Sequence, residues 1–275
     1  MRRFRAIVRD IPRTALMVVI LLWVLIPVYF LVATSLSPDG ATLDGLVLPS
    51  AISFANYVAV FTGANDIWIP LINSTVVTIA STAIALILAV PAAYALSHLR
   101  HRRLGRGMYL SFFVLRGIPP IALVMPFYLI FSKSNLLNSL PGLVIALAPL
   151  ALPYCVWTLR VTFDLIPREV EEAGAVDGAG RFRMFFSVVL PIATPGIAAT
   201  GILSALFIYV DYIIVAPLAG PKTYPFSIYV TSFSQDFVQL VGPLSAAAII
   251  GAIPMAVMFI ISQRFSRRLA SAGIH

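Results

Sequence analysis

The chain has 275 residues, of which 60% are hydrophobic and 11% are charged, and its mean hydropathy is +0.97. Soluble domains carry about 25% charged residues, so this composition excludes an ordinary water-soluble globular protein. The net charge of +8 would favour nucleic-acid binding in a soluble chain, but in a chain this apolar it is first interpreted as membrane topology. The single cysteine, Cys155, excludes an internal disulfide framework and a cysteine metal cluster.

Six apolar segments are each long enough to cross a membrane as a helix, which requires roughly 20 residues. Lipid offers the backbone no hydrogen-bonding partner, so helices are expected, and the short alternating segments of a β-barrel are absent. The first segment is too long for the core of a signal peptide and is interpreted as a retained span. The sequence thus predicts an all-α polytopic membrane protein with six transmembrane helices, at approximately 14–35, 70–97, 107–131, 140–162, 188–217 and 243–263.

The basic residues fall almost entirely on one side of this six-span arrangement. That side holds residues 2–13, 100–106, 160–183 and 264–268, whereas the other side holds Lys133 and Lys222, and its first loop carries Asp39, Asp44 and Asp66 without a basic residue. The positive-inside rule then predicts that both termini are cytoplasmic in a cell membrane. This distribution accounts for the basic isoelectric point, so no nucleic-acid partner is needed. His98 and His101, in the basic connection, are interpreted as solvated charges.

The connection between the fourth and fifth segments, residues 163–187, is polar and lies on the basic side. Pro167 is suited to the start of a short surface helix, because proline fits the first helical turn. Three glutamates follow in the first turns, where carboxylates stabilise a helix N-terminus. Gly178 or Gly180 is expected to end the helix, since glycine readily adopts the left-handed conformation found there.

This helix is unusually rich in small side chains, which allow close approach to another backbone or entry into a groove; they are Ala173, Gly174, Ala175, Gly178 and Ala179. The pattern favours a helix that inserts into a partner. The alternative is a helix that lies on the lipid surface, but such helices favour Lys and Arg with large apolar residues. Apolar contacts at the membrane face are expected from the residues that follow, namely Phe182, Met184, Phe185 and Phe186.

The same segment resembles the cytoplasmic loop of permease subunits of ATP-binding-cassette importers of the carbohydrate-uptake type. The signature of that loop is Glu-Ala-Ala, three residues, Gly, and a later Leu-Pro. Here it is Glu172-Ala173-Gly174, then Asp177-Gly178, then Leu190-Pro191, with glycine in place of the second alanine. The resemblance extends over residues 14–273 and is nearest to the family of the smaller maltose-permease subunit.

Further matches to this family occur in order along the chain: Phe54-Ala55-Asn56-Tyr57, Asn73-Ser74, Ala92-Ala93-Tyr94-Ala95-Leu96, Arg116 with Pro119-Pro120, and Thr223-Tyr224-Pro225. Two departures accompany them. Val210-Asp211 stands where the family commonly has Trp-Asn, and the tail, residues 270–275, lacks the usual Lys-Gly ending. Contacts between that tail and an ATPase are therefore less well supported than the loop.

The resemblance implies a single transmembrane domain, residues 1–275, with cytoplasmic tails at 1–13 and 264–275 and a coupling loop at 163–187. The helix in that loop would be a coupling helix that docks on a separate ATPase, with Glu172 as polar anchor and Gly178 permitting close backbone approach. The residues assigned to coupling are Glu171, Glu172, Ala173, Gly174, Asp177, Gly178, Leu190 and Pro191.

The implied function is that of a permease subunit in a binding-protein-dependent importer, forming half of the translocation path for a carbohydrate. The implied partners are a second permease subunit, two ATPase subunits and an external solute-binding protein. The chain has no Gly-x-x-x-x-Gly-Lys-Ser/Thr loop, so ATP and magnesium are expected on the ATPase subunits and no cofactor on this chain. The chain is accordingly expected to be a transport subunit and not an enzyme.

Five residues are candidates for the translocation path: Asn73, Arg116, Tyr209, Asp211 and Tyr212. A charge within a span is costly and should face the bundle interior or water. Each candidate also has a structural interpretation: Arg116 as a tie to helix-end carbonyls exposed by Pro119 and Pro120, Asn73 as a hydrogen bond to another span, and the tyrosines as interface anchors. Asp211 could likewise lie at the interface.

Three alternatives remain open from the sequence. The first is the same type of importer for another solute, such as a glycerol phosphate or a peptide, because Arg116 would suit an anion. The second is an ion-driven secondary transporter, which would require several buried carboxylates, whereas only Asp211 qualifies. The third is a membrane-embedded enzyme, which would require a cluster of catalytic groups near one face.

Overall fold

The computed structural model describes residues 2–38, 51–62, 66–99, 103–235, 238–239 and 241–272. Several residues used in the sequence predictions lie outside this description: Asp39, Asp44, Arg100, His101, Arg102 and residues 273–275. The described part of the chain is mainly helical, in agreement with the predicted fold class.

The long helices are α1 (Arg2–Ser35), α3 (Trp68–His98), α4 (Arg103–Arg116), α5 (Pro120–Lys133), α6 (Leu140–Asp164), α9 (Leu190–Tyr209) and α12 (Val241–Ala272). The short helices are α2 (Ala55–Phe61), α7 (Arg168–Val176), α8 (Arg181–Arg183), α10 (Val215–Leu218) and α11 (Phe226–Thr231). A π-helical segment, Met184–Val189, joins α8 to α9. Two short strands, β1 (Ser234–Gln235) and β2 (Val238–Gln239), pair antiparallel.

Five of these helices are long and apolar enough to cross a bilayer: Leu16–Ser35, Trp68–His98, Leu140–Asp164, Arg181–Tyr209 and Val241–Ile261. A sixth span is present if the bent pair Gly107–Arg116 and Pro120–Lys133 counts as one. The prediction of several membrane-spanning helices is confirmed for the described residues. Helix α1 begins at Arg2 and therefore includes most of residues 1–13, which the sequence assigned to a tail.

The third predicted segment, 107–131, is not one continuous helix. Helix α4 ends at Arg116, and α5 begins at Pro120 after a bend of 88°. Pro119 is extended, with φ −65° and ψ 133°. A residue that precedes a proline is driven from the helical region by the next pyrrolidine ring, so consecutive prolines end one helix and start another.

The fifth predicted segment, 188–217, is wrong at its C-terminal end. Helix α9 stops at Tyr209, and a separate turn of helix, α10, follows. The Asp211 carboxylate accepts a hydrogen bond from the Ile214 amide at 3.0 Å, which starts this new turn. A short acceptor side chain that captures a nearby backbone amide competes with continuation of the helix.

The chain divides into two compact units. Unit 1 comprises Met1–Ile67 and Val230–Ala252, and unit 2 comprises Trp68–Tyr229 and Ile253–His275. Unit 1 contains α1, α2, the strand pair and the first part of α12. Unit 2 contains α3 to α10, most of α11 and the rest of α12.

In unit 1, Asn56 joins α2 to the end of α1. Its amide nitrogen donates to the carbonyls of Ser35 and Ser37 at 3.1 and 2.9 Å. The hydroxyls of Ser35 and Tyr57 are 2.9 Å apart, which adds a second polar contact. The start of α12 approaches the same amide closely: a Cβ on Gly242 would lie 2.6 Å from the Asn56 Oδ1. Only a glycine fits there without displacing the hydrogen-bonded side chain.

Unit 2 is built around α3, which packs mainly against α6 and also against α9. Small side chains allow this close packing, among them the buried Ala85 and Ala89 of α3 and Ala146 of α6. Where α9 meets α6, a Cβ on Gly196 would meet the Thr162 side chain, so the α9 backbone lies directly against that side chain. This tightly packed group of helices forms the frame from which the connection containing α7 extends.

A pair of glycine substitutions tests the packing in unit 1. Gly242→Ala should lower the free energy of unfolding by about 1–3 kcal/mol, since the new Cβ overlaps the fixed Asn56 amide. Gly107→Ala, on α4, meets nothing within 4 Å and should be neutral or stabilise by up to about 1 kcal/mol through helix propensity. The measurement is thermal unfolding of the detergent-purified chain, and equal melting temperatures for the two variants would contradict the packing assignment.

Candidate functional site

The predicted short surface helix is present as α7, Arg168–Val176. Pro167 precedes it in an extended conformation, with φ −59° and ψ 136°, and two carboxylates, Glu169 and Glu171, lie in the first turn. None of residues 168–176, all of which the structure describes, is buried. The helix therefore lies on the surface of unit 2, where a partner has access to it.

Gly178 ends α7, as the sequence predicts. Its φ is +77°, in the left-handed region that glycine adopts without steric cost. The amide of Ala179 donates to the carbonyl of Gly174 at 2.9 Å, and the amide of Gly178 donates to that of Ala175 at 3.1 Å. These two bonds form a Schellman motif, which satisfies carbonyls at the helix end. A Cβ at Gly178 would meet nothing within 4 Å, so within this chain the glycine is required for backbone conformation and not for close approach.

Gly174, which replaces the second alanine of the family signature, faces the chain itself. A Cβ at this position would lie 2.7 Å from the Met184 Cε. Met184 is buried and belongs to the π-helical segment that leads into α9. At least one of the small residues of α7 therefore serves packing within unit 2, in addition to any role in docking.

The inner face of α7 is also held by a carboxylate. The Glu171 Oε2 lies 2.8 Å from the His98 Nε2 and accepts a hydrogen bond from the Tyr94 hydroxyl at 3.2 Å. The sequence interpreted His98 as a solvated topology charge; its side chain is 49% exposed, and its imidazole also lies against the Glu171 carboxylate. The sequence shows only that Tyr94 and His98, four residues apart, share one face of α3, and it carries no signal for their contact with Glu171.

The outer face of α7 is open. Glu172, Ala173 and Asp177 are exposed, and Val176 is 88% exposed. Phe182, in α8, is 82% exposed, whereas the sequence expected it to contact the membrane face together with its neighbours. Val176 and Phe182 thus add exposed apolar area to this part of the surface. Glutamate and apolar side chains thus share one accessible surface.

Of the next apolar residues, Met184 and Phe185 turn inward, whereas Phe186 is exposed. Met184 is buried, and the Phe185 ring lies 4.9 Å from that of Tyr94. Leu190 and Pro191 open α9, where proline occupies a first-turn position. The π-helical segment between α8 and α9 was not predicted. Such segments are frequent at functional sites, and this one sets the angle at which the coupling connection enters the span.

At the opposite end of α3, Asn73 and Ser74 bind the loop that contains Thr223-Tyr224-Pro225. The Asn73 amide donates to the carbonyls of Lys222 and Tyr224 at 3.3 and 3.1 Å. The Ser74 hydroxyl accepts a hydrogen bond from the Phe226 amide at 2.6 Å. Asn73 is buried and both of its amide protons are used, but the partner is a loop, whereas the sequence suggested another span. Two of the family motifs thus bind each other.

The Thr223 hydroxyl extends this network by donating a hydrogen bond to Asn138 Oδ1 at 2.9 Å. The backbone amide of Asn138 donates in turn to the Leu218 carbonyl. Asn138 has a φ of 51°, a conformation that asparagine tolerates better than most residues. Sequence analysis did not identify Asn138, because its partners are 85 residues away in the chain.

Tyr209, Asp211 and Tyr212 have different environments. Tyr209 is buried and its ring stacks on that of Phe226 at 5.9 Å, whereas Tyr212 is 46% exposed. Asp211 caps the turn before α10, and burial raises its pKa while hydrogen bonds from the Ile214 and Val215 amides lower it in part. Asparagine, the usual family residue there, would accept the same bonds.

Arg116 lies at the break between α4 and α5. Its guanidinium is 4.8 Å from the centre of the Tyr154 ring on α6. A second contact of this kind runs in the opposite direction: the guanidinium of Arg160, on α6, is 3.9 Å from the centre of the Tyr109 ring, on α4. Two cation–π contacts therefore join α4 to α6. The structural interpretation of Arg116 is correct in kind, although its partner is a ring and not the helix-end carbonyls.

A small cavity lies beside Asp211, with Ser74, Thr78 and Ser227 among its lining. Its enclosed volume of about 10 Å³ is on the order of that needed for one water. Ligand pockets of small molecules measure roughly 300–1,000 Å³. The cavity is therefore too small for a sugar, and these side chains do not by themselves form a solute site.

Comparison with known proteins gives consistent matches along the chain. Residues 81–271 match the family described as "Binding-protein-dependent transport system inner membrane component". The trehalose transport system permease protein SugB of Mycobacterium tuberculosis is 32% identical over 250 residues, covering 88% of this chain and 89% of that protein. The diacetylchitobiose uptake system permease protein DasC of Streptomyces coelicolor is 29% identical over 93% of both chains.

Among solved structures, a chain of a bacterial ABC transporter involved in the import of the acidic polysaccharide alginate has the same fold. The TM-score is 0.69 at 23% identity, with 96% of this chain and 98% of that chain covered. At this identity the likeness concerns the fold alone.

Two glycine variants test how α7 ends. Gly178→Ala should destabilise the end of the helix by about 1–2 kcal/mol, because a Cβ is disfavoured at φ +77°. Gly180→Ala, with φ −65° and open space around it, should have little effect. Hydrogen exchange of the amides of residues 178 and 179 measures the difference, and equal exchange in both variants would contradict the Schellman assignment.

Two variants at Asp211 separate its capping role from its charge. Asp211→Ala should destabilise unit 2 by about 1 kcal/mol, since the Ile214 amide loses its acceptor. Asp211→Asn keeps the acceptor and removes a partly buried charge, so it should be neutral or stabilising at neutral pH. Thermal unfolding in detergent provides the measurement, and a larger loss for Asp211→Asn than for Asp211→Ala would refute the capping role.

Proposed function

The chain belongs to the family of binding-protein-dependent transport system inner membrane components, and from this premise we propose that it forms half of the translocation path of an ATP-driven importer for a carbohydrate. The family assignment favours a binding-protein-dependent importer over two alternatives left open by the sequence, a secondary transporter and a membrane-embedded enzyme. A transport subunit moves its solute without transforming it, and the proposed role needs no cofactor on this chain.

The carbohydrate assignment is supported by the solutes that appear in the names of related permeases. Trehalose, diacetylchitobiose, and melibiose with raffinose and stachyose appear in the names of relatives that cover 88 to 93% of this chain. These are di- to tetrasaccharides, so the proposed solute class is an oligosaccharide. The glycerol-phosphate alternative rested on Arg116, whose guanidinium lies over the Tyr154 ring and keeps its charge, and it is the names of these relatives that favour an oligosaccharide.

The observation that carries the proposal is the division of α7 into a held face and an open face. The inner face contacts unit 2 through Glu171 and Gly174, whereas Glu172 and Val176 are exposed. A rigid surface helix of this kind suits docking in a groove of an ATPase subunit. Lipid is a poorer occupant, because the face carries Glu172 and a single arginine, Arg168, whereas interfacial helices are rich in Lys and Arg.

The proposed assembly contains this chain, a second permease subunit, two ATPase subunits and an external solute-binding protein. ATP and magnesium would bind the ATPase subunits. The basic connections of the chain support a cytoplasmic side that carries α7 and both termini. Because the cavity beside Asp211 has room only for water, we propose that the solute path lies between the two permease subunits. Tyr212, which is exposed, is the candidate from this chain to face it.

Charge reversal on the open face tests the coupling assignment. Glu172→Lys should abolish solute uptake and reduce the amount of ATPase that copurifies by about tenfold or more, since it places a cation where a carboxylate is expected to pair. Membrane insertion should not change, because Glu172 is exposed and outside the spans. The measurements are uptake of radiolabelled trehalose and maltose by cells, and affinity copurification from mild detergent.

Lys133→Glu is the matched control. It is an exposed charge reversal at the end of α5, and it should leave copurification unchanged. Normal copurification with Glu172→Lys would remove the coupling assignment. If the wild-type chain is isolated without any ATPase, the importer proposal itself fails.

A further inference from the structure

We propose that Tyr94 and His98 are positioning residues, which hold Glu171 so that α7 and the end of α3 move together. The inference rests on the proposed function, in which α7 docks on an ATPase. Glu172, on the open face, belongs to the docking contact. Glu171, its neighbour on the held face, would transmit the movement of α7 into the spans.

The contact is formed by one carboxylate oxygen and two donors from α3. The Glu171 Oε2 lies 2.8 Å from His98 Nε2 and 3.2 Å from the Tyr94 hydroxyl. The Glu171 side chain is only 26% exposed, and that of His98 is 49% exposed. Because a single oxygen joins both side chains, a displacement of α7 reaches two successive turns of α3.

The surroundings of the imidazole fix its orientation. The His98 Nδ1 lies 3.0 Å from the Tyr94 carbonyl, which only accepts hydrogen bonds. The Ser97 hydroxyl donates to that same carbonyl at 2.7 Å, so its oxygen faces Nδ1 as an acceptor. A carboxylate also only accepts. Acceptor oxygens therefore face both ring nitrogens, which holds the imidazole in one orientation against Glu171.

Tyr94 links this contact to the rest of unit 2. Its ring lies 5.6 Å from that of Phe163 at the end of α6, and 4.9 Å from that of Phe185 in the π-helical segment. The His98 ring meets it edge-on at 4.6 Å. The end of α3, the end of α6 and the entry to α9 therefore meet at one aromatic side chain, whose hydroxyl binds the coupling connection.

None of the residues of α7 is buried, and its main further contacts are with the π-helical segment, where Gly174 faces Met184 and Val188. The apolar contact of Gly174 with Met184 involves a flexible side chain and permits rotation of the helix about it. The Glu171 contact prevents that rotation. Without it, we expect the docked helix to move while α3 stays behind, so that ATPase closure is no longer transmitted in full.

The test uses the assembled complex in proteoliposomes and two reporter thiols in a Cys155→Ala background. Val176→Cys reports docking of α7, and Ala95→Cys, on an exposed position at the end of α3, reports movement of that span. The quantity measured is the change in maleimide labelling rate on adding ATP with vanadate. These readouts require no knowledge of the solute.

Tyr94→Phe, His98→Phe and Glu171→Gln each weaken the contact with little change of shape. We expect the response at Val176→Cys to stay as in the otherwise unmodified complex, and the response at Ala95→Cys to fall about 3- to 10-fold for His98→Phe and Glu171→Gln, and less for Tyr94→Phe. The double variant His98→Phe/Glu171→Gln should be no worse than the worse single variant, because both remove one contact. His98→Gln, which restores an N–H donor, should recover most of the response.

Tyr109→Phe is the matched control, since it deletes a tyrosine hydroxyl but keeps the ring beneath Arg160. The proposal is overturned if Ala95→Cys responds normally in both His98→Phe and Glu171→Gln, or if the two reporters lose their response in parallel. If Val176→Cys shows no ATP-dependent protection in the complex before any contact variant is made, the proposed function fails, and not this inference alone.

Discussion

Helix α7 is attached to unit 2 through one face only. The Glu171 carboxylate binds Tyr94 and His98, and the Gly174 backbone lies against Met184. A helix of nine residues is only marginally stable by itself, and none of the residues of α7 is buried. These contacts therefore determine its position on unit 2. Its open face, with Glu172 and Val176, is thereby presented at a fixed angle. The functional proposals depend on this asymmetry, because a helix that moved freely could be docked without moving the spans.

At the opposite ends of the spans in unit 2, hydrogen bonds between side chains and loops fix the structure. There, amide and hydroxyl side chains bind loop backbone: Asn73 and Ser74 from α3, and Thr223 with Asn138. Between the two ends, α3, α6 and α9 pack through small side chains. A close-packed group of helices is not readily compressed, so a displacement at one end is carried along it. Polar side chains thus frame both ends of a close-packed group of helices, which the connection containing α7 would move under the proposed function.

Local chemistry made much of this predictable from sequence. The lengths of the apolar segments predicted the spans. Pro167 and Gly178 predicted the two ends of α7, because proline and glycine each impose a particular backbone geometry. The break at Pro119-Pro120 and the end of α9 at Tyr209 were missed, since continuous hydropathy concealed a proline pair and a capping aspartate. Glu171 and His98 are 73 residues apart, and no periodicity connects them. Gly174 likewise was expected to serve a partner, although the atom it accommodates belongs to Met184 in the same chain.

The most direct test of the account is a photo-crosslinkable amino acid at position 176, the most exposed apolar residue of α7. Irradiation of intact cells, followed by mass spectrometry of the adducts, identifies what covers this face. The account predicts a defined adduct with a protein that carries a phosphate-binding loop, and loss of that adduct when Glu172→Lys is added. Adducts with lipid alone, or a protein adduct that persists unchanged with Glu172→Lys, would contradict it.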